Sequence, residues 1–408
     1  MRTRWTVGAL ALLFFLAASV VQADQDARIA GLIGRLQGFN FNDIRAAQDE
    51  LVEIGLPAVP ALRQALSNSE PGIRKGAAQV LGELKVIEAI DEIGALVKDD
   101  VYWVARGAIY SLREMESPSA NPYFVQALGH FNAKVKETAL YAVKDLKLTE
   151  SKPKLADRMF RDLDPYIRWQ AMTVLRELEE GAEIAAIREA LADPKRSATQ
   201  LRNATELAGN LRLKEAVPEL LPLLKNSEAK VRWGAIRALG RIGEETTREP
   251  IERMLKDRDS DVRLMAVGAL GMLADPASVA PLSGMLSGQP TNVRKNALRS
   301  LERIGGTQAA AAVRNGLSDR DKLVRAQAAE ILGAIGSPAD GTVLAEASRD
   351  KFAIVRVAAL HALGQLRAGE GKAAAEAALQ DKNFWVSQEA RRTLELLGTE
   401  PAVPGKEQ

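Results

Sequence analysis

The side chains best suited to binding chemistry in this sequence are Trp, Tyr and Arg residues that recur at helical spacing. Arg106 and Tyr110 are four positions apart, as are Trp233 and Arg237, and on a helix such pairs face each other and can form cation–π contacts. Aromatic residues make up only 5% of the chain, and Trp, Tyr and Arg contribute most to interface energies. We therefore predict a partner-binding band that consists of Trp103, Arg106, Tyr110, Tyr141, Trp169, Arg202, Trp233 and Arg237.

The residue types that catalysis and metal binding require are scarce. The 408 residues include no Cys and two His, which excludes disulfides, iron–sulfur clusters and thiol nucleophiles and disfavours histidine-rich metal sites. Residues 257–261 resemble the start of a calcium loop, but Val262 stands where that loop needs Gly and Gly268 where it needs Glu. The sequence predicts no catalytic residues, no metal and no cofactor.

The charge balance disfavours a nucleic-acid partner. Lys and Arg number 55 and Asp and Glu 53, and both surplus cations, Arg2 and Arg4, lie at the N-terminus. A broad surface for nucleic acid or anionic lipid needs an excess of cations. We therefore expect no nucleic-acid binding.

Residues 1–23 have the three-part pattern of a secretory signal peptide. A basic start precedes an apolar run over residues 7–21, and Ala23 is the residue before the predicted cleavage. This run of 15 residues is shorter than the ~20 residues that span a bilayer. We predict export to the periplasm or the extracellular medium, with no stable membrane insertion after cleavage. An uncleaved N-terminal anchor is the alternative.

One pattern repeats along the rest of the chain. Its leading residue is Val at 231, 262, 293, 324, 355 and 386, a constant spacing of 31, and the column continues backward at Ile167, Val135, Val104, Ile73 and Ile44. Counted from this leading residue as position 0, positions +4, +7 and +8 are also apolar, which is the stripe of an amphipathic helix. A shorter apolar helix precedes each one, and Gly at +9 is expected to end the longer helix.

One unit, residues 200–209, departs from the pattern, and with it the count is twelve units. We predict no β-sheet. The predicted organisation is a signal peptide over 1–23, a repeat domain over 24–398 and a tail over 399–408.

Polar residues recur at two further positions of each unit, and they are typical of a known repeat family. Asp or Asn recurs at −5 and Arg or Lys at +1, with departures from the +1 pattern at Ala105, Leu201 and Ser387. Such units resemble HEAT repeats, in the short HEAT-like form also found in phycobilin lyases. The resemblance implies an all-α, right-handed α-solenoid of about twelve two-helix repeats of ~31 residues, whose second helices line the concave face. It also implies a ladder of Arg–Asp pairs between neighbouring repeats, interrupted at the departures.

The resemblance does not carry over the activities of HEAT-like enzymes. Deoxyhypusine hydroxylases bind two irons through His-Glu dipeptides, whereas His130 precedes Phe131 and His361 precedes Ala362. Phycobilin lyases act on cytoplasmic pigment proteins, which an exported chain would not meet. Neither activity is expected here.

The sequence therefore predicts an exported, non-enzymatic HEAT-repeat scaffold that binds a protein or peptide on its concave face. Because rows of aromatic residues also stack on sugar rings, a carbohydrate or envelope polymer is an alternative ligand. An enzyme with an unrecognised site is a further alternative. The tryptophans could also pack against neighbouring repeats and have a purely structural role.

Overall fold

A computed structural model describes residues 21–38 and 40–398, and all regular structure in these ranges is helical. No β-strand occurs among them, as predicted. Residues 1–20 of the predicted signal peptide and the predicted tail, 399–408, lie outside the described residues, while Ala23 lies in the helix of residues 21–35. No helix in the described ranges is long and apolar enough to cross a membrane.

The chain divides into two compact units between Ala186 and Ile187. Unit 1 contains α1 (21–35), α2 (Phe41–Ile54), α3 (Val59–Ala65), α4 (Pro71–Glu83), α5 (Ile90–Ala95), α6 (Tyr102–Glu114), α7 (Asn121–Ala127), α8 (Ala133–Asp145), α9 (Lys152–Arg161) and α10 (Pro165–Leu178). The boundary falls within α11 (Ala182–Ala192). Unit 2 contains α12 (Ala198–Asn210), α13 (Val217–Leu223), α14 (Ala229–Ile242), α15 (Arg248–Arg253), α16 (Ser260–Leu273), α17 (Val279–Gly284), α18 (Thr291–Ile304), α19 (Gly306–Arg314), α20 (Lys322–Ile335), α21 (Gly341–Ala347), α22 (Ala353–Leu366), α23 (Glu370–Ala378) and α24 (Phe384–Leu396).

The described helices form twelve consecutive pairs, in which odd-numbered helices come first and even-numbered helices second. The predicted leading residues lie in the second helices, where Val104, Val231 and Val355 are fully buried. In α12, the departing unit, buried Gln200 takes the leading position and forms a capping box with Ser197. The prediction of an all-α solenoid of about twelve two-helix repeats is confirmed.

A ladder of ion pairs joins consecutive repeats, as the resemblance implies. Arg232, at +1, donates Nε and Nη2 to the two carboxylate oxygens of Asp257, at −5 of the next repeat, each at 2.8 Å. Lys136 takes the same role toward Asp162 at 2.6 Å. The other pairs of this kind are Arg74–Asp99, Arg294–Asp319, Arg325–Asp350 and Arg356–Asp381. These bidentate contacts fix each repeat on the next because their geometry is directional.

The ladder is interrupted at Ala105 and Leu201, as the sequence predicts, and at both places the acidic residue of the next repeat is also absent. The −5 position that follows Ala105 is His130, and the one that follows Leu201 is Asn226. Within the described residues, no ladder ion pair therefore joins the two neighbouring repeats at either position. His130 instead contacts the backbone of the preceding turn at 3.2 Å.

Further interruptions arise from the −5 column, which the prediction did not consider. The −5 position that follows Arg263 is Gly288, so no carboxylate is present there. Arg263 donates instead to the backbone carbonyl of Asp257 at 2.8 Å. Arg45 pairs within its own helix with Asp49 at 3.0 Å. A ladder pair therefore requires both columns, which belong to different repeats.

The prediction that Gly at +9 ends the second helices is wrong. Helices α14 and α16 each continue two residues past Gly240 and Gly271. A Cβ at Gly240 would lie 2.8 Å from the Cβ of Ala269, and a Cβ at Gly271 would lie 2.9 Å from the Cα of Ser300. Both neighbours stand at +7 of the following second helix. Glycine at +9 therefore allows close packing of successive second helices, and it is not a helix stop.

Candidate functional site

Positions −1, +2 and +6 of the second helices lie away from the apolar stripe, and we call the surface they form the second-helix face. In unit 1 this face carries exposed aromatic side chains. Trp103 is 37% exposed, Tyr110 45%, Tyr141 50% and Trp169 54%. These rings therefore present a large part of their surface to solvent, on helices that the apolar stripe and the ladder hold in place.

Arg106 organises the centre of the unit 1 face. Its Nη2 atom donates to the hydroxyl of Tyr110 at 3.2 Å, and its guanidinium lies 5.9 Å from the centre of the Tyr110 ring. Its Nε atom donates to Oγ1 of Thr138 on the next second helix at 3.2 Å. The hydrogen bond from Arg106 lowers the pKa of Tyr110 below its usual value. The predicted cation–π contact between Arg106 and Tyr110 is thus present.

Two lysines and a further tyrosine extend this arrangement. Lys75 lies 5.8 Å from the centre of the Trp103 ring, and Tyr166 stacks on Trp169 with 6.1 Å between the ring centres. Lys134 donates to Glu137 at 2.9 Å, which raises the pKa of Lys134, and it interacts electrostatically with Arg106 and Tyr166. We call the whole set the unit 1 aromatic cluster: Lys75, Trp103, Arg106, Tyr110, Lys134, Tyr141, Tyr166 and Trp169.

Lys75, Lys134 and Tyr166 were not among the residues predicted from the sequence. Lys75 stands at +2 of its unit, and Lys134 and Tyr166 stand at −1. They therefore occupy the same columns as the predicted residues. Their positions in the repeat are visible in the sequence alone.

The other three predicted residues, Arg202, Trp233 and Arg237, belong to unit 2 and line one pocket of about 230 Å³. Arg237 lies over the ring of Trp233 at 5.4 Å from its centre, which is the second predicted cation–π contact. Arg202 is exposed, whereas Trp233 and Arg237 are half-buried. We call this the α12–α14 pocket, and Arg241, absent from the predicted set, also lines it.

Small residues form the floor of the α12–α14 pocket. A Cβ at Gly234 would lie 2.6 Å from Oγ1 of Thr205, and one at Gly209 would lie 2.9 Å from the Cα of Ala238. Glycine at these two positions allows α12 and α14 to approach each other closely. The lining of the pocket therefore combines these small residues with longer arginine and tryptophan side chains.

The residues that resembled a calcium loop have structural roles. Asp257 is a ladder residue, and the Asp259 carboxylate accepts the backbone N–H groups of Asp261 and Val262 at the start of α16. Within residues 21–38 and 40–398, no group of His, Asp and Glu side chains could hold a metal ion. The Nδ1 atom of His361 lies 2.9 Å from Oε1 of Glu389 on the next second helix.

Unit 2 also exposes a row of apolar residues that was not predicted from the sequence. Leu323, Ile354 and Trp385 occupy position −1 of three successive second helices, and all three side chains are exposed. The spacing of 31 residues between them was visible in the sequence.

A family model for HEAT repeats matches residues 29–113, 187–254, 217–291 and 280–363, which together exceed half of the chain. The two helix pairs whose second helices contain Val135 and Ile167 lie between the matched segments, and each has the same two-helix form. No curated protein matches the sequence significantly.

Several solved structures are similar. Kap121p bound to Nup53p is 12% identical with a TM-score of 0.53, over 90% of this chain and 48% of that one. Kap121p bound to Pho4p is 11% identical with a TM-score of 0.53, over 90% of this chain and 49% of that one. Human deoxyhypusine hydroxylase in complex with glycerol is 23% identical over 63% of this chain and 99% of that one, with a TM-score of only 0.28.

The chain thus spans about half the length of Kap121p. At these identities the likeness to Kap121p concerns the fold alone, and the low TM-score of the hydroxylase supports no inference about activity. With its matched repeats, its helix pairs and its ladder, the chain belongs to the HEAT-repeat family.

Proposed function

We propose that this protein is an exported, non-enzymatic scaffold that binds a protein or peptide on the second-helix face of unit 1. The observation that supports this most directly is the unit 1 aromatic cluster, in which exposed rings lie beside the cations Lys75 and Arg106. Aromatic residues and Arg contribute most to interface energies. Rings already held by neighbouring cations lose less conformational freedom when a partner binds.

The similar solenoid favours a protein as the partner. The Kap121p structures include complexes with Nup53p and with Pho4p. Kap121p therefore binds other proteins. Stacked helix pairs present an extended surface, which suits a protein or an extended peptide better than a small molecule.

Crosslinking and capture from the native cell envelope tests the proposal. The wild-type protein is compared with the Trp103→Ala/Trp169→Ala double variant, and Trp385→Ala serves as a control because it removes an exposed Trp of unit 2. We expect one or more proteins to be enriched by wild type and by the control and lost with the folded double variant. Equal enrichment by all three would contradict a role for the unit 1 aromatic cluster.

A carbohydrate or envelope polymer is the second candidate ligand, favoured by the stacked pair of Tyr166 and Trp169. Flat, exposed rings stack on sugar faces as well as on peptide side chains. Saturable binding of purified cell-wall fragments that is lost in Trp169→Ala would support this candidate over a protein. Turnover of such fragments would instead indicate an enzyme.

Export is proposed from the N-terminal sequence. N-terminal sequencing of the protein from fractionated cells tests it directly. A soluble envelope form that begins at Asp24 is expected. A membrane-bound form that begins at Met1 would indicate an uncleaved anchor.

A further inference from the structure

Three arginines of unit 2 surround one small pocket with little to balance their charge. Arg202, Arg237 and Arg241 line the α12–α14 pocket, and Glu206 is the one carboxylate among the lining residues. Within the described chain, none of the three guanidinium groups forms an ion pair. The pocket therefore carries a net charge of about +2, in a chain whose overall charge is nearly zero.

Two of the three guanidinium groups are held in place without a carboxylate. Arg237 lies over the ring of Trp233 at 5.4 Å, and Nη1 of Arg241 donates to Oδ1 of Asn210. Neither contact neutralises the charge, and each leaves other N–H groups of the guanidinium available, since the group has five. Groups positioned in advance lose less freedom on binding an anion.

The size of the pocket limits its ligand. Its volume is about 230 Å³, below the ~300–1,000 Å³ of pockets that enclose drug-sized molecules or cofactors. The close approach of α12 and α14 at Gly209 and Gly234 leaves no room for an added Cβ between the two helices. Such a site accommodates one side chain of a partner that lies across the surface.

We propose that the α12–α14 pocket binds the carboxylate of an Asp or Glu side chain in an acidic segment of the partner protein. The planar guanidinium fork matches a carboxylate with two parallel hydrogen bonds, and Trp233 contacts the apolar atoms beside it. This proposal rests on the proposed function in that the partner is a protein, and it adds the chemistry that the partner must present.

Fluorescence anisotropy with the purified full-length protein tests the pocket. The probe is a fluorescein-labelled 12-residue peptide of alternating Glu and Ala, and the matched probe replaces each Glu by Gln. We expect saturable binding of the Glu peptide and at least tenfold weaker binding of the Gln peptide. Equal affinity for the two peptides would overturn the proposal.

Substitutions test whether the Glu peptide binds in this pocket. They also test whether binding requires the planar guanidinium group or only its positive charge. Arg202→Gln/Arg237→Gln is expected to lower the affinity for the Glu peptide at least tenfold. The control, Arg391→Gln/Arg392→Gln, removes the same charge from exposed positions of α24, and its affinity for the peptide should stay within twofold of wild type. Arg237→Lys keeps the charge but not the fork, so only partial affinity is expected. Equal loss in both double variants, or full affinity in Arg237→Lys, would overturn bidentate recognition in this pocket.

Competition and capture distinguish the remaining outcomes. Tight binding of inorganic phosphate, with no binding of the Glu peptide, would overturn the proposal in favour of a small-anion site. If capture from the envelope depends on Trp103 and Trp169 but the Glu peptide does not bind, the carboxylate pocket fails while the proposed function stands. If the Glu peptide binds but the Trp103→Ala/Trp169→Ala variant captures every partner, the role of unit 1 fails instead.

Discussion

Arg294 and Asp319 lie 25 positions apart and form a nearly buried bidentate ion pair. Nε of Arg294 is 2.7 Å from Oδ2 and Nη2 is 2.9 Å from Oδ1, and the two side chains are 3% and 8% exposed. The Asp319 carboxylate also accepts the backbone N–H of Asp321, the residue immediately before α20. The pair therefore links the second helix of one repeat to the turn of the next.

Removal of one partner of this pair should strongly destabilise the protein. Arg294→Leu leaves the Asp319 carboxylate buried without its cation, and we expect a loss of about 3–5 kcal/mol. Arg294→Leu/Asp319→Leu should lose less, because no unpaired charge remains. Chemical unfolding followed by circular dichroism measures both. A double variant no more stable than the single one would show that the pair, and not the unpaired charge, determines the loss.

Acid should weaken the ladder. Arg356 donates hydrogen bonds to Asp381 and so lowers the pKa of that carboxyl below its usual value near 3.8. A carboxyl whose pKa is lower in the folded state stabilises the fold above its unfolded pKa, and this stabilisation is lost as the pH falls through the folded pKa. The difference in Tm between wild type and Asp381→Asn should therefore shrink as the pH falls from about 5 to 2. A constant difference across that range would contradict the prediction.

Two glycines of α16 should respond to alanine in opposite ways. A Cβ at Gly271 would lie 2.9 Å from the Cα of Ser300, whereas no atom lies within 4 Å of a Cβ at Gly268. Gly271→Ala should cost about 1–3 kcal/mol through overpacking, and Gly268→Ala should stabilise the helix by up to about 1 kcal/mol. Thermal unfolding of the two variants measures this. Equal effects would contradict the packing role of Gly at +9.

Tryptophan on the second-helix face should contribute little to stability. Trp169 is 54% exposed, whereas Phe160, in the helix that precedes it, is fully buried. We expect Trp169→Ala to change the free energy of unfolding by less than about 1 kcal/mol, and Phe160→Ala to lower it by about 3–5 kcal/mol. A large loss of stability in Trp169→Ala would show that this ring has a structural role.

The sequence by itself determined the helix pairs. The leading column and its stripe at +4, +7 and +8 specify which face of each second helix is buried, because apolar side chains at helical spacing must be removed from water together. The two polar columns likewise predicted the partners of the ladder. Their interruptions at Ala105 and Leu201 could be predicted because the Arg is missing within the unit itself.

The contacts between repeats were decided by the tertiary structure, because each depends on two segments about one repeat apart. The packing role of Gly271, for example, depends on its approach to Ser300 of the next second helix. The predicted binding residues were assigned by type and column, yet the structure alone shows that Arg202, Trp233 and Arg237 line one pocket with Arg241. Periodicity within a helix specifies a buried face, whereas a pocket forms only where side chains from two packed helices meet.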